Sequence, residues 1–545
     1  MNNIIHSRTD SLGGESLQPH RPLPIARWSA MTVIVLLCTV SAALICIDYA
    51  HFPYSDGAEH AAAVCALTEN LLQPPDPMLP RPPTGSARFV PSIVLMALFM
   101  RACNLSIQVT IKISLLAGLC LFCCAAFLFG TAYFGQRRCG TGLLLTTLFL
   151  WGTGWTGANA YMFSALLYTA YFPSVVAFSL SLLALYYQQR FHVSRKMWHL
   201  VVQFCCVVAA CVNHPVTGGF CLVGTLLFYY EYRHAAKYAL IAFPCLVTLV
   251  VLALACWPYY NFFGTLYTLI NGDINRSYDY IKSHNYLYSA VLPRLAPAGI
   301  GLLCAWQLFR SRGALLPLWG ACGFLLLYAL GFLCHLPFAA RGVFFMAFCL
   351  QLAAAPYLTT SAACRDGARV FRACRIGVCT AFVVGAAIQL VLVYTQYLKP
   401  AFSLSPRFPY AIYASPTAPL QHLASCLDRN DIVFSDRFTS WGIPAFTGAR
   451  IVALMHTPPH VTDNSARIND TETFFALRTT PEERQRLLHK YHATHLLFDE
   501  RHTPDHGALI HNLKGINLVA HSGPFWLYCI KTPNGHTAFR SYVPR

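Results

Sequence analysis

Charged residues are scarce in this chain of 545 residues. Asp, Glu, Lys and Arg make up 11% of it and hydrophobic residues 56%, whereas an ordinary soluble domain has roughly 25% charged residues. This composition excludes a soluble globular protein and favours a polytopic α-helical membrane protein. The net charge of +17 comes from basic residues spread over short loops rather than gathered in one patch, so nucleic acid is not expected as a partner.

Several motifs are also missing. The 23 cysteines lie mostly inside apolar runs, where cysteine is a small filler, and no CxxC pairs stand at zinc spacing, so a thiolate metal site is not expected. Cys426 and Cys529 alone lie in the polar C-terminal segment, and the sequence leaves open whether they pair. No internal repeat is evident, and the C-terminal segment contains no GxSxG nucleophile motif.

About eleven apolar stretches separated by short loops form a predicted membrane domain over residues 28–397. Because Lys and Arg are retained on the cytoplasmic side, the basic loops place the tail 1–27 inside and the C-terminus outside. Two polar loops, 48–108 and 258–290, then lie outside, and the apolar run 89–103 is too short to cross and is predicted to lie in the outer interface. Runs predicted to span the membrane include 28–47, 109–134, 161–187, 216–230, 238–257, 291–309, 315–334, 342–358 and 376–397.

The chain changes character after the last apolar run, and residues 398–545 are predicted to form an extracytoplasmic α/β domain. Helices are predicted to start at Ser415-Pro416, Thr480-Pro481 and Thr503-Pro504, because each pair joins a capping residue to a proline that suits the first helical turn. Ser522-Gly523-Pro524 is predicted to be the turn between the last two strands. Strands are predicted at 432–434, 450–454, 495–498, 518–520 and 526–530.

The first outer loop carries an acidic cluster of Asp56, Glu59 and His60 soon after the first span. On a helix, the i, i+3, i+4 spacing places all three on one face. Asp56 is therefore a candidate general base that takes a proton from an acceptor hydroxyl, with Glu59 in a supporting role. A structural alternative is equally simple: Asp56 caps the helix and Glu59 is its capping-box partner.

Other candidate site residues lie at the turns that are predicted to face outward. Arg341 and Arg88 could bind a phosphate, although either could instead anchor a segment at the interface. His214 and His335 are weaker phosphate candidates, since a lone histidine in a turn is more often structural. Asp273 adds a carboxylate in the outer loop 258–290.

This layout resembles the GT-C superfamily of polyprenyl-phosphate-dependent membrane glycosyltransferases. The resemblance rests on the outer-loop acid in Ser55-Asp56-Gly57-Ala58-Glu59, the interfacial helix, the number of spans and the outer C-terminal domain. It implies an inverting transfer from a polyprenyl-phosphate-linked sugar donor to a glycan, lipid or protein acceptor. In that transfer Asp56 acts as base and Arg341 steadies the departing phosphate.

The resemblance also implies an integral protein of a bacterial inner membrane, and it leaves a divalent cation (Mg or Mn) as an open candidate cofactor. The Trp-Trp-Asp motif of oligosaccharyltransferases and the His-Pro-Pro-Leu segment of protein mannosyltransferases are both missing, which disfavours those two activities. Two other classes stay open: a multi-spanning transporter, and a non-catalytic protein of envelope polysaccharide assembly. The sequence names neither the donor sugar nor the acceptor, and it does not fix the oligomeric state.

Overall fold

A computed structural model describes residues 30–47, 56–81, 85–153, 161–231, 239–271, 287–359, 368–398, 417–456 and 461–531 of the chain. The part before residue 399 is helical, with a short 3-10 helix at Pro337–Arg341 and a π-helical turn at Tyr394–Leu398. Its α-helices are α1 Ala30–Ile47, α2 Gly57–Glu69, α3 Pro91–Ala102, α4 Ile107–Phe134, α5 Arg137–Phe149, α6 Phe163–Thr169, α7 Pro173–Ser194, α8 Met197–Asn213, α9 Pro215–Glu231, α10 Ala239–Ala255, α11 Phe262–Asn271, α12 Val291–Gly299, α13 Gly301–Arg312, α14 Leu315–Leu333, α15 Gly342–Thr359 and α16 Ala368–Val393.

Within the described residues, four helices are long and apolar enough to cross a membrane on their own, and two bent pairs bring the number to six. Shorter apolar helices also occur, among them Met197–Asn213 and Ile241–Ala255. The chain therefore has a helical membrane domain, and the number of eleven spans stays a prediction.

One predicted span is wrong as a single helix. The run 161–187 is divided into α6 and α7, which meet at 113°. Phe172 has an extended backbone (ψ 143°) and precedes Pro173 at the start of α7. Because proline disfavours a helical conformation in the residue before it, the chain turns here despite the continuous hydropathy. The run 291–309 is likewise bent, by 42° between α12 and α13.

The C-terminal domain is built on a five-stranded sheet in the order β2-β1-β3-β5-β4. All five predicted strands are present, and β1 lies parallel to β2 and β3 while β5 runs antiparallel to β3 and β4. The predicted turn at Ser522-Gly523-Pro524 joins β4 to β5, with Gly523 at φ 56°. The strands are β1 Ile432–Phe434, β2 Arg450–Ile451, β3 His495–Asp499, β4 Ile516–Ser522 and β5 Phe525–Ile530.

The helices of this domain match the sequence less closely. Thr480 caps the helix Pro481–Lys490 (α21) by accepting a hydrogen bond from the Glu483 backbone N–H at 3.3 Å, as predicted. The last helix begins at His506 rather than at Thr503-Pro504, and three helices, Arg437–Ser440, Ile443–Thr447 and Asn464–Phe475, were not predicted. The predicted start at Ser415-Pro416 lies outside the described residues. The helices are α17 Thr417–Ala424, α18 Arg437–Ser440, α19 Ile443–Thr447, α20 Asn464–Phe475, α21 Pro481–Lys490 and α22 His506–Ile510.

The first outer loop and the C-terminal domain pack directly on each other. The Ile451 backbone N–H of β2 donates to the Met78 carbonyl oxygen at 2.8 Å, and Arg81 forms an ion pair with Asp463. They also share one hydrophobic core, to which the loop contributes Ala58, Ala62, Met78 and Leu79. The two long polar segments therefore lie on the same side of the helical domain, and α2 of the first segment is packed against the second.

An ion pair inside the C-terminal domain predicts a pH-dependent stability. His502 Nδ1 lies 3.6 Å from Asp436 Oδ1 and 3.2 Å from Thr439 Oγ1. Pairing with Asp436 raises the pKa of His502. Burial raises the pKa of Asp436, but its contacts with His502 and Thr439 outweigh burial and lower it.

The stabilisation from His502 is complete below the usual histidine pKa of about 6.5 and is lost as the pH rises through the raised value. The stabilisation from Asp436 is complete above the usual aspartate pKa of about 3.9 and is lost as the pH falls through its lowered pKa. We therefore expect His502→Gln to lower the thermal unfolding midpoint by about 2–4 °C near pH 5, equivalent to about 1 kcal/mol, and by less above about pH 8. Differential scanning fluorimetry at both pH values checks this, with the exposed His511→Gln as control; an equal loss at both would contradict it.

Candidate functional site

The acidic cluster lies at the start of α2, where the outer loop meets the C-terminal domain. Asp56 has helical backbone angles (φ −52°, ψ −17°), and its carbonyl oxygen accepts a hydrogen bond from the His60 N–H at 3.0 Å. Its side chain makes no capping hydrogen bond, so the capping-box alternative is wrong. A capping side chain needs the extended backbone of a true cap position, which Asp56 does not have. Its carboxylate is therefore left for other partners.

Glu59 is the most enclosed carboxylate of the cluster, with 1% of its surface exposed. Its Oε1 accepts hydrogen bonds from Trp441 Nε1 at 2.8 Å and from His456 Nδ1 at 3.0 Å, and its Oε2 is paired with Arg88. A buried carboxylate is stable only when its charge and lone pairs are satisfied in this way. Glu59 thus joins the outer loop to the C-terminal domain.

Asp56 is more accessible, with 33% of its side chain exposed, and its Oδ1 lies 3.4 Å from His456 Nδ1. Burial raises the pKa of its carboxyl, but the basic side chains around it outweigh burial and hold the pKa below its usual value. Those groups are His456, Arg88, His60 and Arg341, in decreasing order of effect. The ionised form of Asp56 is therefore favoured at neutral pH.

Arg88 is positioned by a short segment that contacts the second outer loop. Gly85 has a φ of +81°, and a Cβ atom there would lie 2.2 Å from the Tyr259 carbonyl oxygen, so only glycine fits. The next residue, Ser86, donates its backbone N–H to that same carbonyl at 3.0 Å. Trp257 Nε1 donates to the Phe89 carbonyl oxygen at 2.8 Å. These contacts fix the segment from both sides of Arg88.

Arg341 and His214 form a second pair of residues in the site. Arg341, the last residue of the 3-10 helix, donates from Nη1 to His214 Nε2 at 3.0 Å. Burial and the neighbouring Arg341 hold the pKa of His214 well below its usual value, so the imidazole is neutral and can accept this bond. On the other side of the ring, Nδ1 contacts Thr217, lying 2.9 Å from its Oγ1 and 3.2 Å from its backbone nitrogen. His214 in this way orients the guanidinium.

The other three predicted residues lie in different surroundings. His60 is packed edge-on against Phe172 with ring centroids 4.9 Å apart, and burial lowers its pKa to about 4, so it is neutral at physiological pH. His335 lies at an exposed turn with a φ of 54°. Asp273 lies outside the described residues. The structure thus brings Asp56, Glu59, His60, Arg88, His214 and Arg341 into one cluster.

Two residues of the site, Trp441 and His456, were not predicted from the sequence. Both come from the C-terminal domain, and their rings meet at 78° with centroids 5.1 Å apart. Trp441 follows the carboxyl end of β1, and His456 follows that of β2. Since functional groups gather at the carboxyl ends of parallel strands, the predicted strands 432–434 and 450–454 were a usable signal.

A cleft opens beside the cluster, between the first outer loop and the C-terminal domain. It is lined by Glu59, Asp76, Pro77, Met78, Ser86, Arg88, Leu454, His456 and Val461. Within the described part of the chain, no group of three or more His, Cys, Asp or Glu residues is arranged to hold a metal ion. The cationic groups around the two carboxylates also fit an anionic ligand better than a divalent cation.

Comparison by sequence finds nothing: no protein-family model and no curated protein matches the chain. Comparison of folds finds ArnT from Cupriavidus metallidurans bound to undecaprenyl phosphate, with a TM-score of 0.52, 11% identity, and coverage of 92% of this chain and 97% of that one. The oligosaccharyltransferase of Archaeoglobus fulgidus in complex with zinc and sulfate matches with a TM-score of 0.52, 13% identity, and coverage of 89% and 70% respectively.

The mycobacterial arabinofuranosyltransferase AftD matches with a TM-score of 0.51 and 11% identity, over 92% of this chain but 41% of that larger one. Likenesses at such low identity concern the fold and not the activity. They agree with the architecture that the sequence predicted, a helical membrane domain followed by an α/β domain on the side of the first outer loop. The chain therefore shares its fold with ArnT, the archaeal oligosaccharyltransferase and AftD.

Proposed function

We propose that this protein is a membrane glycosyltransferase that moves a sugar from a polyprenyl-phosphate carrier to an acceptor on the outer face of the membrane. One observation carries the proposal: an accessible carboxylate, Asp56, lies near enough to Arg88 and Arg341 for both to lower its pKa, where the outer loop meets the C-terminal domain. A base and phosphate-binding cations are the two components that such a transfer requires. The ArnT neighbour, which was solved with undecaprenyl phosphate, supports this choice of carrier.

In the proposed reaction, an acceptor hydroxyl attacks the anomeric carbon of the sugar, and Asp56 takes the hydroxyl proton. The bond between that carbon and the phosphate oxygen breaks, and its electron pair leaves with the polyprenyl phosphate. Attack from the side opposite the leaving group inverts the anomeric configuration. Arg341, oriented by neutral His214, stabilises the charge that grows on the departing phosphate.

The other charged residues have defined places in this scheme. Arg88 neutralises buried Glu59, so we assign Glu59 the role of holding Arg88 and not that of a base. His60 is packed against Phe172 as a neutral group, so we assign it no charge in the reaction. We also propose that the protein lies in a bacterial inner membrane, with the N-terminus cytoplasmic and with Asp56 and the C-terminal domain facing outward. The positions of the basic loops support this orientation.

A deletion strain tests the function whatever the identity of the sugar. We expect a polyprenyl-phosphate sugar to accumulate in its lipid extract and one glycosylated product to disappear, both measured by mass spectrometry. Expression of the wild-type protein should reverse both changes. Retention of an aqueous solute on one side of the membrane would indicate a transporter instead, and complete rescue by a protein altered at both Asp56 and Arg341 would indicate a non-catalytic assembly protein.

A further inference from the structure

His456 connects the C-terminal domain to both carboxylates of the outer loop. Its Nδ1 lies 3.0 Å from Glu59 Oε1 and 3.4 Å from Asp56 Oδ1, so one ring nitrogen lies between the two. The residue follows β2, whose Ile451 is hydrogen-bonded to Met78 of the outer loop. The position of this nitrogen is therefore set by the docking of the C-terminal domain.

We propose that His456 is a positioning residue for the base: its Nδ1, hydrogen-bonded to Glu59 and 3.4 Å from Asp56 Oδ1, holds the Asp56 carboxylate in place from the C-terminal domain. The site is then complete only when the C-terminal domain is docked on the first outer loop. This inference rests on the proposed function, because it assigns Asp56 the role of base.

The charges around Asp56 and Glu59 support this role of His456. Asp56 and Glu59 are one helical turn apart on α2 and repel each other when both are ionised. Arg88 compensates Glu59, and Asp76 adds a further carboxylate to the wall of the same cleft. Trp441 is packed on the His456 ring and donates only to Glu59. His60 and Arg341 also act on Asp56, but His456 makes the largest favourable contribution to its ionised state.

Two substitutions separate the hydrogen bond from the charge. In His456→Asn the side-chain amide N–H can replace the Nδ1–H, but it can never become positive. In His456→Phe the ring shape and the packing on Trp441 are kept, and both the hydrogen bond and the charge are lost. A role in shape alone would leave the phenylalanine variant unchanged.

The test measures kcat, KM and their pH dependence for the full-length protein in nanodiscs, with the polyprenyl-phosphate sugar found in the deletion strain. We expect His456→Asn to keep kcat within about 3-fold of wild type at pH 8. The acid limb of its kcat–pH profile should move up by about one pH unit, since Asp56 loses a nearby positive charge. His456→Phe should lose about 10-fold in kcat at pH 8 as well, as for one lost hydrogen bond to a charged group, with KM for the donor unchanged. The exposed His511 of the same domain, changed to Asn or Phe, is the matched control.

Wild-type kcat and an unmoved acid limb in both His456 variants would overturn the inference while the proposed function stands. So would an equal loss in both variants accompanied by a lower unfolding midpoint, which would indicate a structural role. A second measurement needs no turnover: in a double-mutant cycle of thermal unfolding at pH 6, His456→Asn and Asp56→Asn should be non-additive. Additive effects there would overturn the inference even if the proposed reaction proved wrong.

Discussion

Replacing Asp56 by asparagine is expected to lower the rate of sugar transfer by about 10² to 10⁴-fold, the usual share of general base catalysis. Asparagine has nearly the size of aspartate but cannot accept the acceptor proton at neutral pH. The decrease should fall on kcat, because in the proposed reaction Asp56 takes part in the chemical step and Arg341 in binding the donor phosphate. It is measured as initial rates over a range of donor concentrations for the full-length protein in nanodiscs.

The structure also predicts how this variant folds. Asp56 makes no capping hydrogen bond, so asparagine removes none. The lowered pKa of Asp56 shows that its ionised form stabilises the fold above the usual aspartate pKa, so a small decrease in unfolding midpoint is expected at pH 7. Asp505→Asn, at an exposed position in the C-terminal domain, is the control for the same chemical change. Full transfer by Asp56→Asn would exclude Asp56 as the base.

Local signals in the sequence were sufficient for much of the fold. Hydropathy located most helices of the membrane part, and alternation with turn residues located all five strands, because both depend on neighbours close in the chain. The break between α6 and α7 was missed since a continuous apolar run outweighed the signal of Pro173. The capping box at Asp56 was a local pattern that tertiary contacts overrode, because Glu59 is committed to Trp441, His456 and Arg88.

Those site residues were predictable that could be identified from the side of the membrane on which their loop lies. Asp56, Arg88, His214 and Arg341 were all placed at outer turns by the basic loops, and the structure brings them together. His456 could not be found in that way, because it lies 397 residues from Glu59 and reaches it only after the sheet has formed and docked. Contacts of such separation depend on the packing of whole elements, which no local pattern encodes.

Arg341 should be the most sensitive residue for binding of the donor. Its Nη1 is committed to His214, which leaves the rest of the planar guanidinium to contact a phosphate. Lysine keeps the positive charge but has no second, fixed donor, so it can satisfy either the histidine or the phosphate. We therefore expect Arg341→Lys to bind the donor phosphate poorly although the net charge of the site is unchanged.

The expected loss is about 10- to 100-fold in kcat/KM for the polyprenyl-phosphate donor, which corresponds to about 1.5–3 kcal/mol for one hydrogen bond between charged groups. KM for the acceptor should stay constant, since the acceptor approaches on the side of Asp56. Arg101→Lys, in the exposed last turn of α3, is the matched control for an arginine at the membrane surface. The loss should be seen in steady-state rates with the donor varied at a saturating acceptor concentration. A variant that lost acceptor affinity instead would place Arg341 on the acceptor side and leave Arg88 as the phosphate-binding cation.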